Sequence, residues 1–257
     1  MLKLKLNTNS LTIGSWITLG HTAIAEIMAK AEFDWLVVDL EHSVINIDVA
    51  GELIRTIDLC GIAPLVRLTS NDQNQIKRVM DAGAHGIVVP MVNTAAEATK
   101  AVSATRYAPA GVRGVGLARA QGYGVRFKEY LKWQVNDPVV IVQIEHKDAI
   151  ANLVDILEVA GVDGFIIGPY DLSCSMGIPG EFEHPEFVAA VNEIRNIGRE
   201  LNCSAGIHIV EPDTERLEQS IKDGYKFIAY SVDIRMLDVA AREGTSVLRK
   251  LIESEKV

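Results

Sequence analysis

The sequence predicts an α/β fold, the (β/α)8 or TIM barrel. Its 257 residues are close to the roughly 250 that one such barrel typically needs. Short runs rich in valine, isoleucine and leucine alternate with longer segments of helical period about eight times along the chain. Strands that are apolar throughout are typical of a parallel sheet covered on both faces. We therefore expect a single TIM-barrel domain over residues 1–257.

Each strand and helix can be placed from its apolar pattern. We expect strands at 12–18, 35–40, 64–68, 86–90, 139–145, 163–168, 204–208 and 226–230. Apolar residues at three- and four-residue spacing predict helices at 23–31, 49–60, 73–82, 95–105, 127–135, 149–159, 185–201, 213–223 and 234–243. The glycines of 111–116 do not stand between a strand and a helix, as a phosphate-binding turn requires. We interpret the surrounding stretch, 106–138, as a flexible lid or a subunit contact.

The composition excludes several kinds of partner. A formal net charge of -9 without clustered lysine or arginine argues against nucleic acid. No run approaches the roughly 18 apolar residues that a membrane span needs, and residues 1–11 lack an apolar signal core. The cysteines Cys60, Cys174 and Cys203 form neither a CxxC pair nor a plausible disulfide framework. We expect a cytoplasmic protein with reduced thiols that acts on a small molecule, with no nucleic-acid or membrane partner.

Polar side chains cluster where several predicted strands end. TIM-barrel active sites lie at the carboxyl ends of the strands. Four segments stand at that end: Asp39-Leu40-Glu41-His42, Leu65-Val66-Arg67, Gln143-Ile144-Glu145 and Gly168-Pro169-Tyr170-Asp171. A single carboxylate there could cap a helix or form a rim ion pair, but the convergence of several favours a functional site.

Two of these carboxylates predict a metal site. Glu145 and Asp171 leave adjacent strands at similar heights, and two carboxylates in a partly dry barrel mouth repel each other unless a proton or a cation lies between them. Oxygen-only ligation suits Mg²⁺ or Mn²⁺, with Co²⁺ as a further candidate, whereas zinc usually recruits His or Cys. The alternative is a helix cap combined with an ion pair.

The other strand-end residues suggest catalytic and binding roles. Arg67 either bridges to Asp39 or Glu41, or points its charge at an oxygen that becomes negative during the reaction. His42 follows Asp39 by three positions, and a neighbouring carboxylate would raise the basicity of its imidazole, which makes it the best candidate for a general base. Gln143 lies on the same face as Glu145 and can orient a carboxylate or keto oxygen of the ligand.

Two absences narrow the chemistry. The nearest lysine to a strand end is Lys147, in the turn beyond the fifth strand, which argues against a Schiff-base mechanism. The turns after the seventh and eighth strands lack a glycine-rich phosphate cradle. We expect an unphosphorylated substrate that carries a carboxylate.

These residues resemble the class II pyruvate aldolases of the HpcH/HpaI family, and the likeness runs through nearly the whole chain. The most specific stretches are Gln143-Ile144-Glu145 and 164–173, GFIIGPYDLS. Further matching stretches are Phe33-Asp34-Trp35 with 39–42, Val66-Arg67, the segment 81–92, Gly111-Val112-Arg113-Gly114 and Ala118-Arg119-Ala120.

The resemblance implies a role for each matching residue. Glu145 and Asp171 would bind the metal, His42 would be the base and Arg67 would stabilise the enolate oxygen. The resemblance alone suggests that Asp81 raises the basicity of His42. It also implies that Gln143, Tyr170 and the adjoining Gly168 and Pro169 contact substrate, and that the protein is a homo-oligomer, commonly a hexamer made from dimers.

Two positions depart from the family pattern. Tyr170 stands where a small residue usually precedes the metal-binding aspartate, and His146 stands where threonine or serine usually follows the glutamate. Both departures affect the expected aldehyde specificity more than the reaction class.

The expected reaction is the reversible cleavage of a 4-hydroxy-2-oxo acid into pyruvate and an aldehyde by way of a metal-stabilised enolate. One alternative is a carbon–carbon lyase of the citrate-lyase β type that acts on acyl-CoA thioesters. The other is a barrel that has lost catalysis and serves as a binding subunit.

Overall fold

Eight parallel strands close into a barrel in chain order, with the last strand paired to the first. The computed structural model describes residues 2–254. The strands are β1 Thr12–Ile17, β2 Trp35–Asp39, β3 Ala63–Arg67, β4 Gly86–Val89, β5 Val139–Ile144, β6 Gly164–Ile167, β7 Ser204–Ile209 and β8 Phe227–Val232. The predicted TIM-barrel fold is therefore confirmed.

Helices connect successive strands and cover the outside of the barrel. They are α1 Leu2–Asn7, α2 Thr22–Ala29, α3 Ile47–Leu59, α4 Gln73–Asp81, α5 Ala95–Thr105, α6 Phe127–Asn136, α7 Lys147–Ala151, α8 Leu153–Leu157, α9 Pro169–Ser175, α10 Pro185–Glu200, α11 Thr214–Lys222 and α12 Asp233–Ser254. A short 3-10 helix, Arg119–Gln121, precedes α6. None of the helices formed by residues 2–254 combines the length and apolar character that a membrane crossing requires.

The inside of the barrel is filled by large apolar side chains. Trp35 and Phe227 stack with ring centroids 4.0 Å apart and are fully buried. Gly14 makes room for this stack, because a Cβ atom there would lie 2.1 Å from the Trp35 ring. The barrel is thus a packed core rather than a pore, and space for a ligand is left to its ends.

The N-terminal end of the barrel is covered by α1, a helix that the sequence did not predict. Leu2 and Leu6 point into the inner apolar cluster. Lys3 Nζ lies 2.5 Å from a carboxylate oxygen of Asp163, and this salt bridge offsets part of the cost of burying that carboxylate. The alternation of lysine and leucine near the N-terminus therefore belongs to an amphipathic cap on the barrel.

The expected helix at 149–159 forms as two short helices, α7 and α8. Asn152 separates them, and its side-chain amide donates to the carbonyl oxygens of Asn93 and Asp148. A side chain that bonds to backbone carbonyls in this way competes with the helical pattern. Two further differences are α9, which was not predicted, and α12, which runs on from 243 to Ser254.

Candidate active site

A cavity of about 340 Å³ opens at the carboxyl ends of the strands. It is lined by Trp16, His42, Arg67, Gln143, Ile166, Ile167, Gly168, Pro169, Tyr170, Asp171, His208 and Val210. Larger cavities of about 460 and 820 Å³ lie at the opposite end of the barrel, beside α1 and the segment 106–138. Because TIM-barrel chemistry takes place at the strand carboxyl ends, the smaller cavity is the candidate active site.

The guanidinium group of Arg67 is held from three sides. Its Nε and Nη2 donate to the two carboxylate oxygens of Asp39 at 2.8 and 2.6 Å, and its Nη1 lies 3.2 Å from Glu41. The guanidinium carbon also stands 4.4 Å from the centre of the Trp16 ring. The bridge to Asp39 and Glu41 is therefore real, and it fixes a positive charge in the cavity wall.

His42 is paired differently from the sequence-based expectation. Asp39 accepts hydrogen bonds from the backbone N–H groups of Glu41 and His42, and its carboxylate is engaged with Arg67. The imidazole Nε2 lies 3.9 Å from a carboxylate oxygen of Glu41, and the ring is 64% exposed. Glu41 therefore replaces Asp39 as the carboxylate beside the imidazole, because Asp39 is turned toward the guanidinium.

Glu145 is buried under the cavity floor with both oxygens engaged. The backbone N–H of Met91 donates to Oε1 at 2.6 Å, and the amide nitrogen of Gln143 donates to Oε2. Burial raises the pKa of this carboxyl, the two hydrogen bonds oppose that change, and the charge of Asp171 adds to it.

The amide oxygen of Gln143 is free to accept a hydrogen bond. The nitrogen is used by Glu145, and Oε1 is buried without a hydrogen-bond partner among residues 2–254. The side chain can therefore accept a hydrogen bond through Oε1, and the second N–H of its amide is not used by Glu145. The expected contact of Gln143 with a keto or carboxylate oxygen stays a prediction.

Asp171 enters the site from the first turn of α9. This helix begins directly after β6, which pairs with β5 and so brings Asp171 to the same rim as Glu145. Tyr170, next to it, is 60% exposed and packs edge-on against Phe182 with ring centroids 5.0 Å apart. Gly168 and Pro169 complete this edge of the cavity.

The site carries more negative charge than its own cation compensates. Burial raises the pKa of Glu41 to about 7; Arg67 lowers it, and the charges of Glu145, Asp39 and Asp171 raise it. The Glu41 oxygen that lies 3.2 Å from Arg67 Nη1 is buried and forms an ion pair there, without a hydrogen bond in the part of the chain that the structure describes. Four carboxylates therefore surround the single guanidinium of Arg67, and the amide oxygen of Gln143 nearby has no partner. This excess of negative charge can be neutralised by a divalent cation or by protons, which compete for the same carboxylates.

The described side chains do not form a complete metal site by themselves. Within residues 2–254, no three His, Cys, Asp or Glu side chains converge closely enough to hold an ion by themselves.

Asp81 lies away from this site. It ends α4 and precedes β4, at the barrel end opposite the cavity, where the neighbouring charges are Arg113 and Lys77. Helix-to-strand turns and strand-to-helix turns occupy opposite ends of a barrel, so one chain does not bring Asp81 beside His42. The coupling that the resemblance suggested is not observed within this chain.

The segment 106–138 does not cover the cavity of its own chain. Arg119 Nη2 donates to Asp58 at 2.5 Å, and the adjoining His85 lies 3.1 Å from the same carboxyl group. These contacts hold the segment at the N-terminal end, and none of its residues lines the candidate site. The segment therefore does not form a lid over the cavity of its own chain, and the subunit contact stays a prediction.

Sequence reasoning missed several residues of the site. Glu41 was considered only as a partner for Arg67, although its two-residue offset from Asp39 places both side chains on one face. Trp16 stands at the end of β1, where the rule for strand ends could have found it. The N–H of Met91 carries no signal in the sequence. Lys147 is exposed, and no lysine of the described chain lines the cavity.

Comparison with known proteins agrees with this geometry. The sequence matches the family described as HpcH/HpaI aldolase/citrate lyase over residues 12–239. A relative from Shigella sonnei (strain Ss046), named 4-hydroxy-2-oxo-heptane-1,7-dioate aldolase, is 42% identical over 231 residues, covering 89% of this chain and 87% of that protein. A HpcH/HpaI family protein from Burkholderia cenocepacia J2315 superposes with a TM-score of 0.91 at 31% identity, covering 96% of this chain and 98% of the other.

A citrate lyase is a more distant match. The citrate lyase beta subunit from M. tuberculosis superposes with a TM-score of 0.61 at 15% identity, covering 90% of this chain and 95% of the other. That likeness shows a shared fold and nothing more specific. The citrate-lyase alternative is therefore not favoured.

The barrel and its carboxylate-rich cavity define a carbon–carbon lyase of the class II aldolase type, a class that uses a divalent metal ion. The chain belongs to the HpcH/HpaI aldolase/citrate lyase family.

Proposed function

We propose that this enzyme reversibly cleaves a 4-hydroxy-2-oxo acid into pyruvate and an aldehyde. The observation that carries the proposal is the pairing of buried Glu145 with Asp171 at the rim of a cavity that also holds Arg67. The Shigella sonnei relative is named for a substrate of this kind. The substrate is a small 2-oxo acid, and the three free cysteines suit a cytoplasmic location.

Glu145 and Asp171 would hold the cation, with Mg²⁺ or Mn²⁺ as the preferred ion and Co²⁺ as a substitute. When bound, the ion supplies Lewis-acid stabilisation of the negative charge that develops on the 2-oxo acid. The excess of carboxylates over cations around Glu41 supports a doubly charged ion at this place.

The remaining residues would bind the substrate and move protons. His42 has an exposed ring that can take a proton from the methyl group of the pyruvyl half, and Glu41 stabilises the resulting imidazolium. Arg67 offers a fixed positive charge to the developing oxyanion, an interaction of about 3 kcal/mol in comparable sites. The amide oxygen of Gln143 accepts from a substrate hydroxyl or a water molecule.

Close packing around Glu145 gives a test of the metal ligand. A Cβ atom on Gly168 would lie 2.7 Å from Oε2 and 2.8 Å from Cβ of Glu145. We expect Gly168→Ala to displace the carboxylate and weaken Mn²⁺ binding by about 10–100-fold, measured by titration calorimetry. Gly116→Ala is the control, because no atom lies within 4 Å of the added methyl group. Equal affinities in the two variants would contradict the assignment.

The proposed reaction is tested by assaying the purified enzyme with pyruvate and a panel of aldehydes, with and without Mg²⁺, Mn²⁺ and Co²⁺. Product that forms only with a divalent ion supports the proposal, and no product under any condition refutes it. Treatment with borohydride and pyruvate should leave the protein mass unchanged, because no lysine lines the cavity within residues 2–254. A covalent adduct would show an imine mechanism instead.

We also propose that the enzyme is a homo-oligomer, a hexamer built from dimers. Helix α12 supports association because none of residues 234–254 is buried. Its apolar side chains recur at helical spacing along one face, and Leu237 and Leu248 are 59% and 58% exposed. An apolar stripe of this length on a monomer indicates a surface that another subunit covers.

A single charge on this face is expected to weaken the assembly. Leu248→Asp would place a carboxylate in an apolar interface, so we expect a smaller molecular mass by light scattering than for the unmodified protein. Ser246→Asp introduces the same charge on the opposite face of α12 and should keep the original mass. If both variants keep it, α12 does not form the interface.

A further inference from the structure

His208 lines the cavity at the end of β7, and the mechanism above does not use it. Its Nε2 lies 3.1 Å from the carbonyl oxygen of Ser231. A carbonyl oxygen only accepts hydrogen bonds, so Nε2 must carry the hydrogen and donate it. In the neutral ring, Nδ1 is then left with a free lone pair.

The acceptor that selects this tautomer is rigidly placed. Ser231 is fully buried in β8 and has a φ of 55°, next to the point where the pairing of β1 and β8 shifts register. Its carbonyl oxygen also accepts from the Ser15 hydroxyl at 3.2 Å, and its own hydroxyl donates to the Val210 carbonyl oxygen at 2.9 Å. The orientation of the His208 ring is therefore built into the barrel wall.

The surroundings keep the ring neutral. Burial lowers the pKa of His208 to about 4; the bond to Ser231 raises it, Arg67 lowers it and Asp39 raises it slightly. The ring packs against Trp16 with centroids 5.4 Å apart. Nδ1 has no hydrogen-bond partner among residues 2–254, so a permanent acceptor stands in the wall of a reaction cavity.

The functional groups of the substrate determine which of its atoms can donate a hydrogen bond to Nδ1 of His208. This step rests on the function proposed above. The pyruvyl half offers only carboxylate and keto oxygens and a methyl group, none of which donates a hydrogen bond. The donors of a 4-hydroxy-2-oxo acid are its hydroxyl groups, and these all belong to the half that derives from the aldehyde. A carboxylate next to Nδ1 would be repelled, because both groups carry lone pairs and neither has a hydrogen to donate.

We propose that His208 selects aldehydes that carry a hydroxyl group on the carbon next to the carbonyl, with Nδ1 accepting the hydrogen bond from that hydroxyl. The 4-hydroxyl itself is a poorer candidate, because it must lose its proton during cleavage and so needs a more basic acceptor. An unsubstituted aldehyde offers Nδ1 no hydroxyl donor, so a water molecule is left as its partner.

Glycolaldehyde and acetaldehyde differ by this one hydroxyl and so test the proposal. We expect His208→Leu to lower the ratio of kcat/KM for glycolaldehyde over acetaldehyde, with pyruvate and Mn²⁺, by about tenfold or more. Leucine keeps an apolar contact for Trp16, and the Ser231 carbonyl oxygen retains its bond from Ser15. His184→Leu, a surface exchange of the same type at the start of α10, should leave the ratio unchanged.

The outcomes separate this inference from the proposed function. An unchanged ratio in His208→Leu, or an equal fall for both aldehydes, overturns the role of His208 while the aldolase reaction stands. A wild-type enzyme that is inactive with every aldehyde refutes the function itself. Nitrogen-15 NMR of the His208 ring tests the tautomer independently of enzyme activity. We expect hydrogen on Nε2 and none on Nδ1 between pH 5.5 and 8, roughly the range above the lowered pKa of His208. Hydrogen on Nδ1 would contradict the proposal.

Discussion

Glu145→Gln is expected to lower metal-dependent aldol cleavage by roughly 10³-fold, because it removes a charged oxygen ligand from an ion that contributes several kcal/mol of stabilisation. The affinity of the Glu145→Gln variant for Mn²⁺ should fall as well. The amide keeps the shape of the side chain and an oxygen for the Met91 N–H. Pyruvate release with saturating Mn²⁺ and titration calorimetry measure the two effects.

Two comparisons make this result specific. Asp171→Asn should show a similar loss, because that side chain is the second proposed ligand from the adjacent strand end. Asp148→Asn, an exposed carboxylate just beyond β5, should leave activity and affinity unchanged. Because burial raises the pKa of Glu145, its neutral replacement should not lower the unfolding temperature of the metal-free protein. Full activity in Glu145→Gln would refute the metal site.

His42→Ala is expected to lower cleavage by about 10²–10⁴-fold, the usual contribution of a general base. The imidazole ring is 64% exposed, so the loss should come from chemistry and not from unfolding. Exchange of the pyruvate methyl protons for deuterium, followed by NMR in the absence of aldehyde, should fall by the same factor. This reading isolates the proton-transfer step from aldehyde binding.

A second histidine on the same rim provides the control for His42. His146 caps the N-terminus of α7, where its ring accepts from the backbone N–H of Asp148, and it does not line the cavity. His146→Ala should retain methyl-proton exchange at nearly the original rate. If His42→Ala retains it as well, another group is the base, and Glu41, whose pKa is raised to about 7 by burial, would be the next residue to exchange.

The strands could be predicted to within two residues at each end because every one of them is buried on both faces. A continuous apolar run bounded by polar residues leaves little choice of position. Helix 95–105 was also placed correctly from its apolar spacing, and the structure shows a capping box of Thr94 and Glu97 at its start. The break at Asn152 was missed because its carbonyl partner Asn93 is distant in sequence.

The candidate site was only partly predictable. The rule that strand ends carry the chemistry selected Arg67, Gln143, Glu145 and Asp171, and all of these side chains border or underlie one cavity. The rule does not say which carboxylate meets which cation. Asp39 was expected beside His42 but binds Arg67, because a guanidinium engages both oxygens of a carboxylate at once.

The sequence by itself determined the barrel, the end of it where chemistry takes place, and the residue types gathered there, because period, length and strand-end position are local properties of a chain. Only the tertiary structure decided the pairings: Glu41 beside His42, Asp39 bound to Arg67, and His208 turned by the Ser231 carbonyl oxygen. These pairings depend on side-chain directions, which are set by packing and by hydrogen bonds between neighbouring strands of the closed sheet.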